Sequence, residues 1–372
     1  MPGLKIESIA ATVLHVPLHS PVRSSTISIT HRDVLVCEAT ATGGATGTGW
    51  AVLPGKAGRA VHALLEDDIL PLVEGTDVWA HERLWNRLWR DLHFVGPGGP
   101  VTLAIAAVDI ALWDLRARHI GVPFHRLFGG ARGRVPAYAS AINMHLSLDE
   151  LVAQTEDFLG QGYGAFKMKI GKPELAEDIE RIAAVRTVIG PARKLYLDVN
   201  QAWSPGDAPG CLAALAPYAP GFIEEPMLSD DVAGHALLRR KTTVPVALGE
   251  QLSNKHEFWN YVSAGAADIL QPNVWKVGGI TEWLKVAHMA QHANLPVAPH
   301  AGLELSMHMC AAVQNGLMVE RMIGGDLCDL GLFRETVAVE DGVIALPDRP
   351  GHGFTVDWDT MAPHALAGAR KG

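Results

Sequence analysis

Cysteine is scarce and scattered: the 372-residue chain has four (Cys37, Cys211, Cys310 and Cys328), and no two form a CxxC pair. That spacing argues against a disulfide framework or a zinc site and fits free thiols in a reducing compartment. Basic runs are missing too. With 31 Lys and Arg against 40 Asp and Glu the formal net charge is −9, and the isoelectric point lies near 6.0. Such a balance disfavours a nucleic-acid or anionic-membrane partner. The most apolar helical stretch, VTLAIAAVDIALWDL, is broken by Asp109 and Asp114, so it is not a membrane span. The N-terminal MPGLKIESIAATVLHVPL alternates like a strand and lacks the charged-then-apolar order of a signal peptide. A soluble, cytoplasmic protein is expected.

What is present is apolar and rhythmic. The chain is 48% hydrophobic with a mean hydropathy of +0.13, enough for a large core and too much for disorder. Its length has room for two domains, or for one barrel with an accessory domain. Residues 1–125 read as an α+β domain. Two strand-like stretches, Lys5–Pro17 and Asp33–Thr40, flank the polar loop SPVRSSTISITHR, and helical segments follow near 56–73, 79–92 and 100–118. Over residues 126–335 the pattern becomes strand–helix alternation. Eight strand candidates (135–140, 165–170, 194–200, 222–226, 244–250, 268–273, 296–300 and 318–322) predict a (β/α) barrel. Residues 336–372 are punctuated by Gly and Pro and are expected to return to the first domain.

Three carboxylates close successive apolar runs: Asp198 in KLYLDVN, Glu224 in GFIEEP and Glu250 in VPVALGE, each 26 residues after the last. One carboxylate per βα repeat puts all three at the strand C-termini, the face where barrel enzymes carry their chemistry. Carboxylates gathered there repel one another unless a cation sits among them, and oxygen ligands suit a hard divalent metal. Lys167 and Lys169 in FKMKIG share one side of a strand. Two adjacent ammonium groups disfavour double protonation, so one of them is expected to fall toward base strength. His300 closes PVAPH and Glu320 lies in MVERM. Asn200 and Gln251, beside the carboxylates, are read either as substrate or ligand contacts or as ordinary supporting hydrogen-bond partners. Glu225 should point away from Glu224 and form a structural ion pair.

Taken together, FKMKIG, LDVNQAW, FIEEP, ALGEQL, ADILQPNVWKVGGIT, PVAPHAG and VERM resemble, in order, the mandelate racemase-like subgroup of the enolase superfamily. IAAVDIALWDLRARHIGVPFHRLFGG looks like that family's capping-domain helix and linker. The resemblance covers nearly the whole chain. It implies a modified TIM barrel, (β/α)7β-like, with an N-terminal capping domain completed by the C-terminal tail. It also implies Mg²⁺ on Asp198, Glu224 and Glu250, Lys169 as one acid/base tuned by Lys167, and His300 as the other. Glu320 would hydrogen-bond the substrate carboxylate and stabilise an enediolate. A homo-oligomer, octamer or dimer, is the family's usual assembly.

One position departs from the family pattern: Asn273 stands where an Asp usually orients the histidine. Its amide oxygen can still accept from the imidazole, but the anionic charge is lost, so a less basic His300 is expected. Muconate-cycloisomerase and dipeptide-epimerase branches would have a lysine there, and Lys276, three residues on, does not substitute for it. Dehydration of a sugar acid (aldonate or aldarate) to a 2-keto-3-deoxy acid is therefore the first expectation. Either Lys169 or His300 would take the α-proton, and His300 would protonate the leaving hydroxyl. A racemase or epimerase of a 2-hydroxy acid is the alternative, and a catalytically silent barrel the third. The polar loop offers Arg23, Ser24, Ser25, Thr26 and His31 to substrate hydroxyls, unless these are simply surface residues.

Overall fold

The computed structural model describes residues 4–366. Its N-terminal part is a three-stranded antiparallel sheet, β1 (Ile6–Arg23), β2 (Ser28–Ala41) and β3 (Thr46–Leu53), in the order β1-β2-β3. The stretch expected as a loop, SPVRSSTISITHR, is mostly strand. β1 and β2 run on as a long hairpin whose tip is Ser24–Ile27, closed by a hydrogen bond from Ser24 N to Ile27 O (2.9 Å). The helix Pro100–Ile120 packs on this sheet so closely that only glycine fits at two places on β3. A Cβ on Gly47 or Gly49 would meet the helix backbone at 2.2 Å.

The barrel follows. Strands β4 (Arg134–Ser140), β5 (Ala165–Lys169), β6 (Lys194–Asp198), β7 (Phe222–Glu224), β8 (Val246–Leu248), β9 (Ile269–Leu270) and β10 (Val319–Met322) form one curled parallel sheet in the order β10-β4-β5-β6-β7-β8-β9. The seventh position, expected at 296–300, makes only isolated bridges: Val297 pairs with Leu270 on one side and Gly316 on the other. Pro296 and Pro299 explain this, because neither has an N–H to give to a ladder. Those bridges still close the ring, since Gly316 leads directly into β10. Seven helices separate the eight positions, and no described helix is long and apolar enough to cross a membrane.

Period-two alternation determines what fills the barrel. Tyr196, Phe222, Ala298 and Met318 each lie two residues before Asp198, Glu224, His300 and Glu320, and they pack with Tyr138, Ala247 and Ile269 into an apolar plug. Tyr196 and Phe222 stack at 4.2 Å, and Tyr138 meets Tyr196 edge-on at 5.3 Å. The plug closes the barrel from below and leaves the next inward layer for polar groups.

Two polar clusters tie the parts together. Asp109, on the capping helix, accepts from Thr281 N (2.9 Å) and Thr281 Oγ1 (2.6 Å) on the barrel, and Trp85 Nε1 donates to Gly278 O (2.8 Å). The KVGG turn is thus the docking point of the capping helices. In the tail, β11 (Val343–Ala345) pairs antiparallel with β4, and His352 reaches Asp114 through its backbone N (3.1 Å) and its ring (3.2 Å). Asp114 also takes Arg118 (2.6 Å) and Thr48 N (2.9 Å). These bonds tie the tail to the helix Pro100–Ile120, and His352 also reaches Thr48 O on β3 (3.0 Å).

Candidate active site

The strand ends place two tiers of polar groups above the plug. In the lower, buried tier Lys167 Nζ reaches Glu320 Oε1 (2.7 Å), Glu224 Oε1 (2.9 Å) and Asp198 Oδ2 (3.6 Å). Glu320 also accepts from Ser140 Oγ (2.6 Å) and Ala301 N (3.1 Å), and Gln271 Nε2 donates to Glu224 Oε2 (2.9 Å). The upper tier faces a cavity of about 250 Å³ under the capping hairpin, where Lys169, Asn200, Glu225, Glu250, Asn273 and His300 all appear in its wall. Another cavity, of about 230 Å³, lies at the opposite end beside Arg134 and Val343, far from these carboxylates.

Neither lysine shows the lowered pKa expected of one of the pair. Burial is the largest influence on the Lys169 ammonium and pushes it down, but Asp198, with which it hydrogen-bonds, together with Glu250 and Glu224 outweighs burial and the like charge of Lys167, so its pKa is raised. Lys167 is buried too, yet Glu224 and Glu320 hold it well above the ordinary lysine value. Burial likewise disfavours the Glu320 carboxylate, but Lys167, His300 and Lys169 hold it well below the usual range. It is therefore ionised and covered, binding Lys167 and the turn after His300. The expected contact from Glu320 to a substrate carboxylate is not what this geometry offers.

Glu225 is the second correction. Its φ of 40° turns the chain after β7, so alternation fails and its side chain joins the cavity wall. Among the described residues it forms no ion pair; Gln201 Nε2 donates to Oε2 (3.1 Å) and Oε1 has no partner there. Asn200, Gln201 and Ala301 share the positive φ (47°, 66° and 48°) just past other strand ends. Non-glycine residues adopt that region rarely, and it concentrates at functional sites.

Asn273 is oriented by the backbone. Its Oδ1 accepts from Trp275 N (2.9 Å) and Lys276 N (3.1 Å), so the amide cannot turn over without facing two donors. Nδ2 therefore stands 3.1 Å from His300 Nδ1 and donates to it, the reverse of the expected bond. With Nδ1 accepting, the neutral ring carries its proton on Nε2, 3.1 Å from Glu250 Oε2.

Donor chemistry in this mouth suits a hard cation. Asp198, Glu224, Glu225, Glu250 and Glu320 stand against two lysines. Burial, with Asp198 nearby, pushes the Glu224 carboxyl up to about 8. Buried oxygens of Asn200 and Glu225 lack hydrogen-bond partners among the described residues. Glu224, Glu250 and His300 offer ligand atoms within 4.8 Å of one another, while Asp198 is turned to Lys169 and to Asn200 N (2.9 Å). Gln251 Nε2 reaches Glu250 Oε1 at 3.3 Å.

The polar hairpin contributes less than its composition suggests. Ser24 and Thr26 line the cavity, but Ser25 Oγ is spent on Val199 O (2.8 Å). Arg23 is exposed and outside the cavity wall. His31 Nε2 donates to Gly55 O (3.0 Å) and its ring lies 3.7 Å from that of His15, away from the cavity. Its neighbour Arg32, missed in the sequence, takes the inward position, as alternation on β2 would allow. Gln271, also missed, lies two residues before Asn273 and so shares its inward face.

A family model described as Enolase C-terminal domain-like matches residues 150–360, and one described as Mandelate racemase / muconate lactonizing enzyme, N-terminal domain, matches residues 8–129. The chain is 34% identical to a 3,6-anhydro-alpha-L-galactonate cycloisomerase of Streptomyces coelicolor, over 97% of this chain and 99% of that one. An L-talarate/galactarate dehydratase of Salmonella typhimurium is 30% identical over 95% and 89%. The crystal structure of a racemase from Streptomyces coelicolor A3(2) with bound magnesium superposes with a TM-score of 0.93 at 34% identity, covering 97% of this chain and 100% of that one.

Proposed function

Because the chain belongs to the mandelate racemase/muconate lactonizing enzyme family of the enolase superfamily, we propose that it dehydrates a sugar acid. It would remove the proton α to the carboxylate, expel the hydroxyl from the next carbon and yield a 2-keto-3-deoxy acid. Asp198, Glu224 and Glu250 would hold Mg²⁺. When bound, the ion neutralises the carboxylates that otherwise keep Lys169 protonated, and it stabilises charge developing on the substrate carboxylate.

The chain's own groups then divide the work. Lys169, at the end of β5 and in the cavity wall, takes the α-proton. Lys167 stays charged beneath it and, with Glu320, fixes the floor. His300 donates a hydrogen bond from Nε2 to the departing oxygen, and the proton gained by Lys169 is returned through solvent to the released hydroxide, so that one water leaves for each acid converted. Asn200 and Glu225 remain for substrate hydroxyls.

One observation carries the choice of reaction: the Asn273 amide nitrogen occupies the Nδ1 lone pair of His300. A neutral imidazole held that way has no lone pair at Nε2, so it is a poor second base. Racemisation needs a base on each face of the α-carbon; β-elimination needs one base and one donor. A second reading keeps the same chemistry with a ring ether as leaving group, which would open the ring without releasing water. It is supported by the 34% identity to an anhydro-sugar-acid cycloisomerase and by apolar walls at Ile27, Val52 and Leu53.

Incubation with Mg²⁺ and a library of aldonic, aldaric and anhydro-aldonic acids, followed by mass spectrometry, separates the readings. Dehydration yields a 2-keto acid lighter by one water, and ring opening a 2-keto acid of unchanged mass. Epimerisation with no keto acid would overturn both.

A further inference from the structure

The cavity over the barrel mouth does not end at the reacting groups. Past Arg32, Ile142 and Met322, which border both spaces, it adjoins a second hollow of about 200 Å³ that reaches His19, His145 and Gln154. Arg32, on β2, stands at the junction. Its Nε is buried without a partner, and its one side-chain hydrogen bond among the described residues runs from Nη2 to the Met322 thioether at 3.2 Å. A guanidinium offers five donors, and a thioether is a weak acceptor. Three carboxylates stand near enough to act on its charge: Asp326, Glu320 and Glu304. Each is engaged elsewhere, Asp326 by Arg321 (2.6 Å), Glu320 by Lys167 (2.7 Å) and Glu304 by Cys328 N (2.8 Å). A buried cation is normally paired by direct hydrogen bonds to an anion. Here the accessible side is the cavity.

We propose that Arg32 recognises a second acidic group, at the end of the substrate opposite the reacting carboxylate, so that the enzyme's substrates are dicarboxylic sugar acids. The inference rests on the sugar-acid reading above and names its substrate class. The planar guanidinium fork matches a carboxylate in two parallel bonds. A dianionic phosphate would call for more charge, and the outer hollow is lined by no lysine and no second arginine among the described residues.

Calorimetric binding to the Mg²⁺-loaded protein tests this, using an aldarate, the aldonate of the same configuration and its terminally phosphorylated form. Wild type is expected to bind the aldarate about 10- to 100-fold more tightly than the aldonate, the span of one charge-assisted contact. Arg32→Gln should erase most of that preference while aldonate affinity moves much less, and Arg32→Lys should restore part of it. Equal binding of aldarate and aldonate by wild type, preference for the phosphorylated acid, or equal losses for both acids in Arg32→Gln would each overturn the proposal. Thermal unfolding of both variants identifies any general loss of fold, and Arg32→Lys then decides. Keto-acid formation is read separately: an Arg32-dependent binding preference without it would keep the Arg32 assignment and sink the dehydration.

Discussion

At the scale of single residues, Asn273 and His300 decide the chemistry. Asn273→Asp would let the carboxylate accept from Nδ1–H and free the lone pair at Nε2. In D₂O, wild type is expected to exchange the α-proton of one C2 epimer only. The variant should exchange both; unchanged selectivity would mean that the Asn273 bond does not govern His300. His300→Asn should lower kcat by about 10²–10³-fold, as loss of one preorganised hydrogen-bond donor does, with little change in KM. Asn273 is visible in the sequence as a departure, but the direction of its hydrogen bond is not. That direction is set by the backbone N–H groups of Trp275 and Lys276, which depend on how the turn after β9 folds. Glu225 is illegible for a similar reason: strand alternation stops where φ becomes positive.

Among elements, the capping helix Pro100–Ile120 is docked on the barrel through Asp109. Burial, opposed by the Thr281 hydrogen bonds, raises that carboxyl from 3.8 to about 6. Below pH 3.8 the group is protonated whether folded or unfolded. Between 3.8 and about 6 the folded protein keeps a proton that the unfolded chain has released, so stability falls as pH rises. Above that window the cost levels off at about 3 kcal/mol, from about 1.4 kcal/mol per unit. Asp109→Asn should therefore flatten the pH dependence of Tm between pH 4 and 6. An unchanged slope would place the titration elsewhere. Strand spacing finds every barrel position, including the seventh, but not that Pro296 and Pro299 reduce it to isolated bridges. The capping hairpin is the least legible element, because a run of Ser, Thr and Arg reads as loop while cross-strand pairing to β1 makes it strand.

For the whole molecule, the equal spacing of Asp198, Glu224 and Glu250 reveals the direction of the barrel and the location of its mouth, since one carboxylate per βα repeat is hard to reconcile with any other architecture. What spacing cannot give is the charge balance once those groups are buried together: Lys167 and Lys169 serve as counter-ions, both raised where one of the two was expected to be lowered. A divalent cation should therefore stabilise the whole fold. At a hundredfold excess over its Kd, Mg²⁺ is expected to add about 2.7 kcal/mol, seen as a concentration-dependent rise in Tm that Glu250→Gln diminishes. A Tm indifferent to Mg²⁺ would argue against a cation among these carboxylates.

The central claim, that Lys169 takes the α-proton of a sugar acid, is tested most directly by label release. With Mg²⁺ and a turned-over acid deuterated at C2, wild type should release deuterium to water at the rate of keto-acid formation, and Lys169→Ala should release essentially none while still binding the acid. Release by Lys169→Ala at near the wild-type rate would contradict the account.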